Sequence, residues 1–247
     1  MFLDLDLHTF AILLLAISIG GFVKGIISFG FPLVALPILS LVLPIKSAIF
    51  LLFFSLIIIN AREIKVKNWK KYKNISPLAL GIFFGIIFGS IIFHKVDNQF
   101  ISKIIGATII FTTFISYCGI KIKKSLLESK LFSSTYGLFA GMIGGMTTIL
   151  GPLIVIYLVS LNLKKELFSE LVSLSVFSTL VPLYTIFFIY QKVTIYDFFI
   201  SALFIIPAIL FQLLGFKIRR VIPQTLFKNV VLIILIIIGI LILYKNF

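Results

Sequence analysis

The sequence predicts an all-α integral membrane protein with eight apolar segments in two four-segment repeats, each repeat opening with a broken or re-entrant helix. Three observations lead there. Of the 247 residues, 61% are hydrophobic and 12% charged, with a mean hydropathy of +1.23, outside the range of soluble globular domains. The apolar residues gather into runs of about 20, the length that crosses a hydrocarbon core of about 30 Å as a helix. Two runs, 10–43 and 132–161, are too long for one crossing and carry glycine and proline in their middles.

As one straight helix, the 34 residues of the run 10–43 would reach about 51 Å. Gly20, Gly21, Gly25, Gly30, Pro32 and Pro37 supply the break, and Lys24 and Ser28 set a cation and a hydroxyl beside it. Irregular backbone at membrane depth persists only where protein or a water-filled cavity surrounds it, because lipid satisfies no free N–H or C=O. The break is therefore expected inside the bundle. The start of the chain, with Asp4 and Asp6, lacks the basic region and cleavage pattern of a secretory signal, so this first run is expected to stay in the protein.

Further apolar segments fall near 48–60, 75–93, 100–120, 132–161, 167–190, 196–216 and 229–244. The basic stretch 62–73, with Trp69 and Tyr72 among lysines, reads as a headgroup anchor on the cytoplasmic face rather than a nucleic-acid surface. The single cysteine, Cys118, allows no internal disulfide and reads as core packing. No hydrophilic stretch is long enough for a soluble domain, so residues 1–247 form a single membrane domain.

The run 132–161 is broken by Gly137, Gly141, Gly144, Gly145, Gly151 and Pro152. Residues 21–28 lie over 137–144 at an offset of 116, and Gly89 with 96–100 lies over Gly215 with 222–226 at an offset of 126. This suggests a duplication, with repeat 1 at about 9–125 and repeat 2 at about 131–246. If all eight segments cross once, the two faces carry 12 and 9 Lys/Arg, leaving Lys24 aside. If the two long runs are re-entrant hairpins, the faces carry 16 and 5, which satisfies the positive-inside rule far better. Each half then crosses an odd number of times, so the repeats are inverted and the N-terminus lies outside. Long kinked single spans are the alternative.

The motif Gly21-Phe22-Val23-Lys24-Gly25-Ile26-Ile27-Ser28-Phe29-Gly30-Phe31-Pro32, continued to Pro37, resembles the first signature of the TauE/SafE sulfite exporter family. Gly137 through Gly145 and on to Gly151-Pro152 resembles the second. The chain departs from the pattern at Ser28, where many members have glycine, and in the insert 146–150. The resemblance implies a permease of the bacterial cytoplasmic membrane for small sulfur-containing or organic anions, such as sulfite, sulfoacetate or sulfolactate.

The residues favour an anion on their own terms. A cation within an apolar segment costs about 3 kcal/mol, and a bound anion would offset that cost at Lys24. Helix N-termini after each break, with free N–H groups and a positive dipole end, would help. Ser28, Thr147 and Thr148 would add hydroxyl donors, and Gly25, Gly30, Gly141, Gly144, Gly145 and Gly151, beside Pro32 and Pro152, would expose backbone to the substrate. Asn60, Ser175, Ser178 and Gln212 are polar residues in apolar surroundings that line the pathway or bond between helices. Gly81, Gly85 and Gly89 repeat every four residues and read as a packing face.

The acidic residues read as tail, loop or first-turn residues, with Glu170 nearest the membrane interior, so no mid-membrane proton relay is expected. Proton or sodium coupling, direction and oligomeric state stay open. With His8 and His94 near segment ends, no metal or cofactor site is expected. A membrane enzyme using Lys24 and Ser28 as a dyad and a structural assembly subunit are the competing classes.

Overall fold

The computed structural model describes residues 6–65, 75–97, 122–191 and 193–221, with a few isolated positions besides. The segments expected at 100–120 and 229–244 fall outside the described residues but for single positions, and Trp69, Tyr72 and Cys118 fall outside altogether. Among the described residues, every regular element is helical.

Helix α1 (Leu7–Ile27) is capped by Asp6, whose carboxylate accepts from the Thr9 amide at 3.1 Å. Its 21 residues extend about 31 Å, one membrane thickness. It stops at Ser28, which is left-handed (φ 74°), and the turn passes through Gly30 (φ 92°) into α2 (Phe31–Leu39). Pro32 sits in the first turn of α2, where its missing N–H has no helical acceptor to lose. Gly20 faces Phe31 and Ala35, and Gly30 faces Val23 and Ile27, so α2 turns back along α1.

Helices α3 (Ile45–Leu51) and α4 (Phe53–Ala61) follow, then α5 (Ser76–Lys95). A short α6 (Lys124–Glu128) leads to α7 (Lys130–Thr147), capped by Ser129, and α8 (Gly151–Ser160). The second break repeats the first: Thr148 is left-handed (φ 59°), and Pro152 lies in the first turn of α8. The Tyr136 hydroxyl donates to the Leu153 carbonyl at 2.7 Å, and the Ser133 and Tyr157 hydroxyls meet at 2.7 Å, so α8 turns back along α7. Helix α9 (Lys165–Tyr190) follows, then α10 (Ile195–Leu203), opened by a Thr194/Asp197 capping box, and α11 (Ile205–Val221). Among the described residues, four stretches are long and apolar enough to cross a membrane: α1, α5, α9, and α10 with α11.

Small residues bring two helix pairs into backbone contact. A Cβ on Gly81, Gly85 or Gly89 of α5 would strike the carbonyls of Ser134, Leu138 or Met142 on α7. One on Gly137, Gly141 or Gly145 would strike those of Leu78, Ile82 or Ile86. On α1, Gly21 and Gly25 press on the carbonyls of Ala208 and Gln212 of α11, and Gly215 on that of Phe22. Between membrane helices, where lipid is as apolar as any side chain, such close van der Waals approach drives association.

These contacts give the expected duplication a different register. Ser28 and Thr148, and Pro32 and Pro152, are related by an offset of 120. The pairs Gly21–Ala208 and Gly25–Gln212 recur as Gly141–Ile82 and Gly145–Ile86, offset by 120 on the broken helix and by 126 on its partner. The offset of 116 expected at the first motif is therefore one helical turn short. Glycines spaced by four match almost as well one turn out, whereas the left-handed residue fixes the register.

Candidate functional site

The two breaks meet. The Phe29 ring lies 3.1 Å from where a Gly151 side chain would begin, and residues 29–33 and 148–152 line one cavity of about 40 Å³ with Lys24 and Asn60. A single water needs about 10–15 Å³, so this space suits a few waters or a compact anionic head. The remaining walls are mostly apolar, from α3 and α4 (Ile49, Leu52, Leu56) and from α9 (Val176, Leu180, Leu183, Tyr184). Helices α2 and α8 both begin at this cavity. Their first-turn N–H groups have no acceptor within the helix, and the positive ends of both dipoles converge there.

Lys24 is 2% exposed. Its Nζ donates to the Ser28 carbonyl and to the Ser173 hydroxyl oxygen, both at 3.1 Å, and lies 4.0 Å from the Glu63 carboxylate. Glu63 is also buried. Its Oε2 accepts from Ser169 (2.5 Å) and Ser173 (2.7 Å), and its Oε1 from Gln212 Nε2 (3.2 Å). Arg219 reaches the cluster from α11, donating to the Ser28 hydroxyl oxygen (2.5 Å) and the Ser169 hydroxyl oxygen (2.9 Å). Its guanidinium also stacks over Phe216 at 4.4 Å. Two cations and one carboxylate thus share three serines at the flank of the cavity.

This refines two expectations. Glu63 does lie in a loop, two residues past the end of α4, but the turn there buries it and points it onto Lys24. Lys24 therefore has a protein counter-charge, which meets part of the burial cost first assigned to a bound anion. Glu170 is buried too, and its carboxylate meets Lys65 at 3.3 Å.

The structure sorts the expected site residues by position. Lys24, Gly30, Pro32, Asn60, Thr148, Gly151 and Pro152 line the cavity. Gly25, Gly141 and Gly145 instead face the neighbouring helices α11 and α5, and Gly144 packs on Leu150. Ser28 is buried in the break with its hydroxyl oxygen on Arg219. The Thr147 and Thr148 hydroxyls donate to the Ile143 and Thr147 carbonyls (2.7 and 2.6 Å), so neither proton is offered to the cavity. Ser178 donates to the Ser175 carbonyl within α9, and Ser175 is fully buried. Gln212 bonds between helices, to the Ile59 carbonyl and to Glu63. Lys24 meets the carbonyl of Ser28, not its hydroxyl, so the pair is not arranged as a nucleophile and base.

Sequence reading missed Glu63, Arg219, Ser169 and Ser173. One signal was present: Ser169 and Ser173 stand four apart, on one face of a helix. The other was the need of a buried cation for a partner among only eight acidic residues.

A family model described as Sulfite exporter TauE/SafE matches residues 13–242. No curated protein and no solved structure gives a match.

Proposed function

The chain belongs to the TauE/SafE sulfite exporter family, and from that premise we propose that it is a secondary transporter carrying small sulfur-containing or organic anions by alternating access. Sulfite and short sulfonates are the substrates proposed, and the bacterial cytoplasmic membrane, with the N-terminus outside, is the proposed setting. The observation that carries the reading is the meeting of two proline-led helix starts at a cavity whose wall includes the Lys24 ammonium. An anion there meets the Lys24 ammonium, whose charge Glu63 partly offsets, and the converging N–H groups of two helices.

The proposed mechanism needs two halves that exchange roles, and the register supports two related halves. Matching positions of the halves line the cavity: Leu56 with Val176, Asn60 with Leu180, and residues 29–32 with 149–152, all at an offset of 120. Each broken helix also packs on the glycine-bearing helix of the other half, α1 on α11 and α7 on α5. Substrate held between such halves is exposed to either side as one half rocks against the other.

Flux of labelled sulfite and labelled methanesulfonate into proteoliposomes tests the reading. The protein should carry at least one of these anions, and Lys24→Ala should abolish the flux. Flux unchanged in Lys24→Ala would remove the ammonium from the site, and no flux of either anion would remove the function.

A further inference from the structure

We propose that Glu63 is a proton-binding site coupled to the anion site, so that the anion travels together with a proton; this deepens the transport reading and rests on it. Two groups have a claim on Lys24. Its ammonium lines the cavity, where a substrate anion would need it, and among the described residues it is the cation that meets Glu63, at 4.0 Å.

An anion that draws Lys24 toward the cavity takes from Glu63 its closest positive charge. A buried charge deprived of its partner is strongly destabilising, and a proton on the carboxylate removes the charge. The groups facing Glu63 show what remains. From α1 there is Lys24. From α9 come the Ser169 and Ser173 hydroxyls, with Glu166 and Glu170 on the same helix, the latter held by Lys65. From α11 come Gln212, and Arg219 at one remove through Ser169.

Among these contacts no other cation touches the carboxylate: Arg219 attracts it only across Ser169, and two further acids lie on the adjoining helix. A hydroxyl can also reverse its role and accept from a protonated Glu63, as an ammonium cannot. The route for a proton is short, because Ala61, Arg62 and Lys65 beside Glu63 are exposed. The proton adds to Oε1 or Oε2 from that exposed side, and it leaves as the anion departs and Lys24 returns. Linkage is reciprocal: if the anion favours the proton, the proton favours the anion by the same factor.

Calorimetric titration of the full-length purified protein with methanesulfonate, and in parallel with sulfite, tests this. Runs in two buffers of different ionisation enthalpy count the protons taken up per anion. Methanesulfonate keeps one charge between about pH 5 and pH 8, the window in which protein groups would respond. The wild type should take up as much as one proton per anion, with affinity rising by at most about tenfold for each unit that pH falls. Glu63→Gln should bind with no proton uptake beyond what sulfite itself contributes. Ser169→Ala, which removes both a donor to the carboxylate and an acceptor of Arg219 but leaves Lys24 untouched, should move the pH at which affinity changes, and it serves where Glu63→Gln does not fold. Binding without proton uptake in the wild type, equal uptake in Glu63→Gln, or an unmoved pH profile in Ser169→Ala overturns the coupling and leaves the transport reading standing. Neither binding nor flux of either anion overturns the transport reading itself.

Discussion

Removing Lys24 and Glu63 singly and together separates what the pair does for the fold from what it does for the anion. At 4.0 Å and an effective dielectric of about 20, two unit charges attract by about 4 kcal/mol. Truncating one member of a buried pair costs about 3–5 kcal/mol, because the other charge stays behind. Lys24→Met keeps most of the stem volume and should destabilise by that amount, and Glu63→Gln by a similar amount. The double variant buries no uncompensated member of the pair, and the introduced amide retains an oxygen for the serine hydroxyls, so it should be less destabilised than either single variant. Unfolding of the detergent-purified proteins in graded denaturant gives the cycle. Losses that simply add would mean that no interaction spans the 4.0 Å. The double variant should still fail to carry an anion, since the cation on the cavity wall is gone. A stable double variant with full flux would refute the role given to Lys24.

Three further outcomes follow from local geometry. Gly85→Ala places a methyl against the Leu138 carbonyl and should lower stability by about 1–3 kcal/mol, read by thermal unfolding; an unchanged midpoint would mean that α5 and α7 are not in backbone contact. Thr148→Gly relieves a β-branched residue at φ 59° and should stabilise by about 1 kcal/mol in the same assay, since the lost hydroxyl donates only to the neighbouring carbonyl. The Asp6 carboxyl is held below its ordinary value of 3.8, chiefly by hydrogen bonding from Thr9. That depressed value means the cap acts above the ordinary value and is lost as pH falls through the lower one, so exchange of the Thr9 amide should speed at the acid end and lose this dependence in Asp6→Asn.

Much of the scaffold was legible because membrane helices declare themselves by composition, and the breaks because glycine and proline interrupt apolar runs that are too long. Lys24 stood out as a cation among apolar residues. The glycines were harder. Gly137, Gly141 and Gly145 have the same four-residue spacing as Gly81, Gly85 and Gly89, yet their nearness to Pro152 drew them toward the site. Spacing identifies a packing face but does not say what it packs on, and only the fold shows that these two faces meet each other. Glu63 was illegible for the opposite reason. It sits between Arg62 and Lys65, in a stretch polar enough to pass for a surface loop, and its burial depends on a turn that hydropathy does not register.

The register of the halves gives the charged cluster its meaning. The positions 120 residues beyond Lys24, Ile49, Phe53 and Glu63 are Gly144, Ser169, Ser173 and Leu183, and the position 126 before Arg219 is Phe93. In the proposed inverted repeat, the three charged groups and the two α9 serines are thus matched by glycine or hydrocarbon on the opposite flank. There Phe53 packs edge-on to Tyr184 at 4.5 Å and Phe50 stacks on Phe187 at 5.9 Å. One flank of the cavity is therefore closed by an ion pair and hydroxyls for which an anion in the proposed site would compete. The other is closed largely by aromatic packing, with His94 beside Phe187 at 6.0 Å and the Tyr184 hydroxyl held by the Ile49 carbonyl. In the proposed repeat the two halves are in this way not interchangeable. If the proposed coupling holds, entry and release would proceed by different physical steps, with the proton exchanged on the flank that carries Glu63.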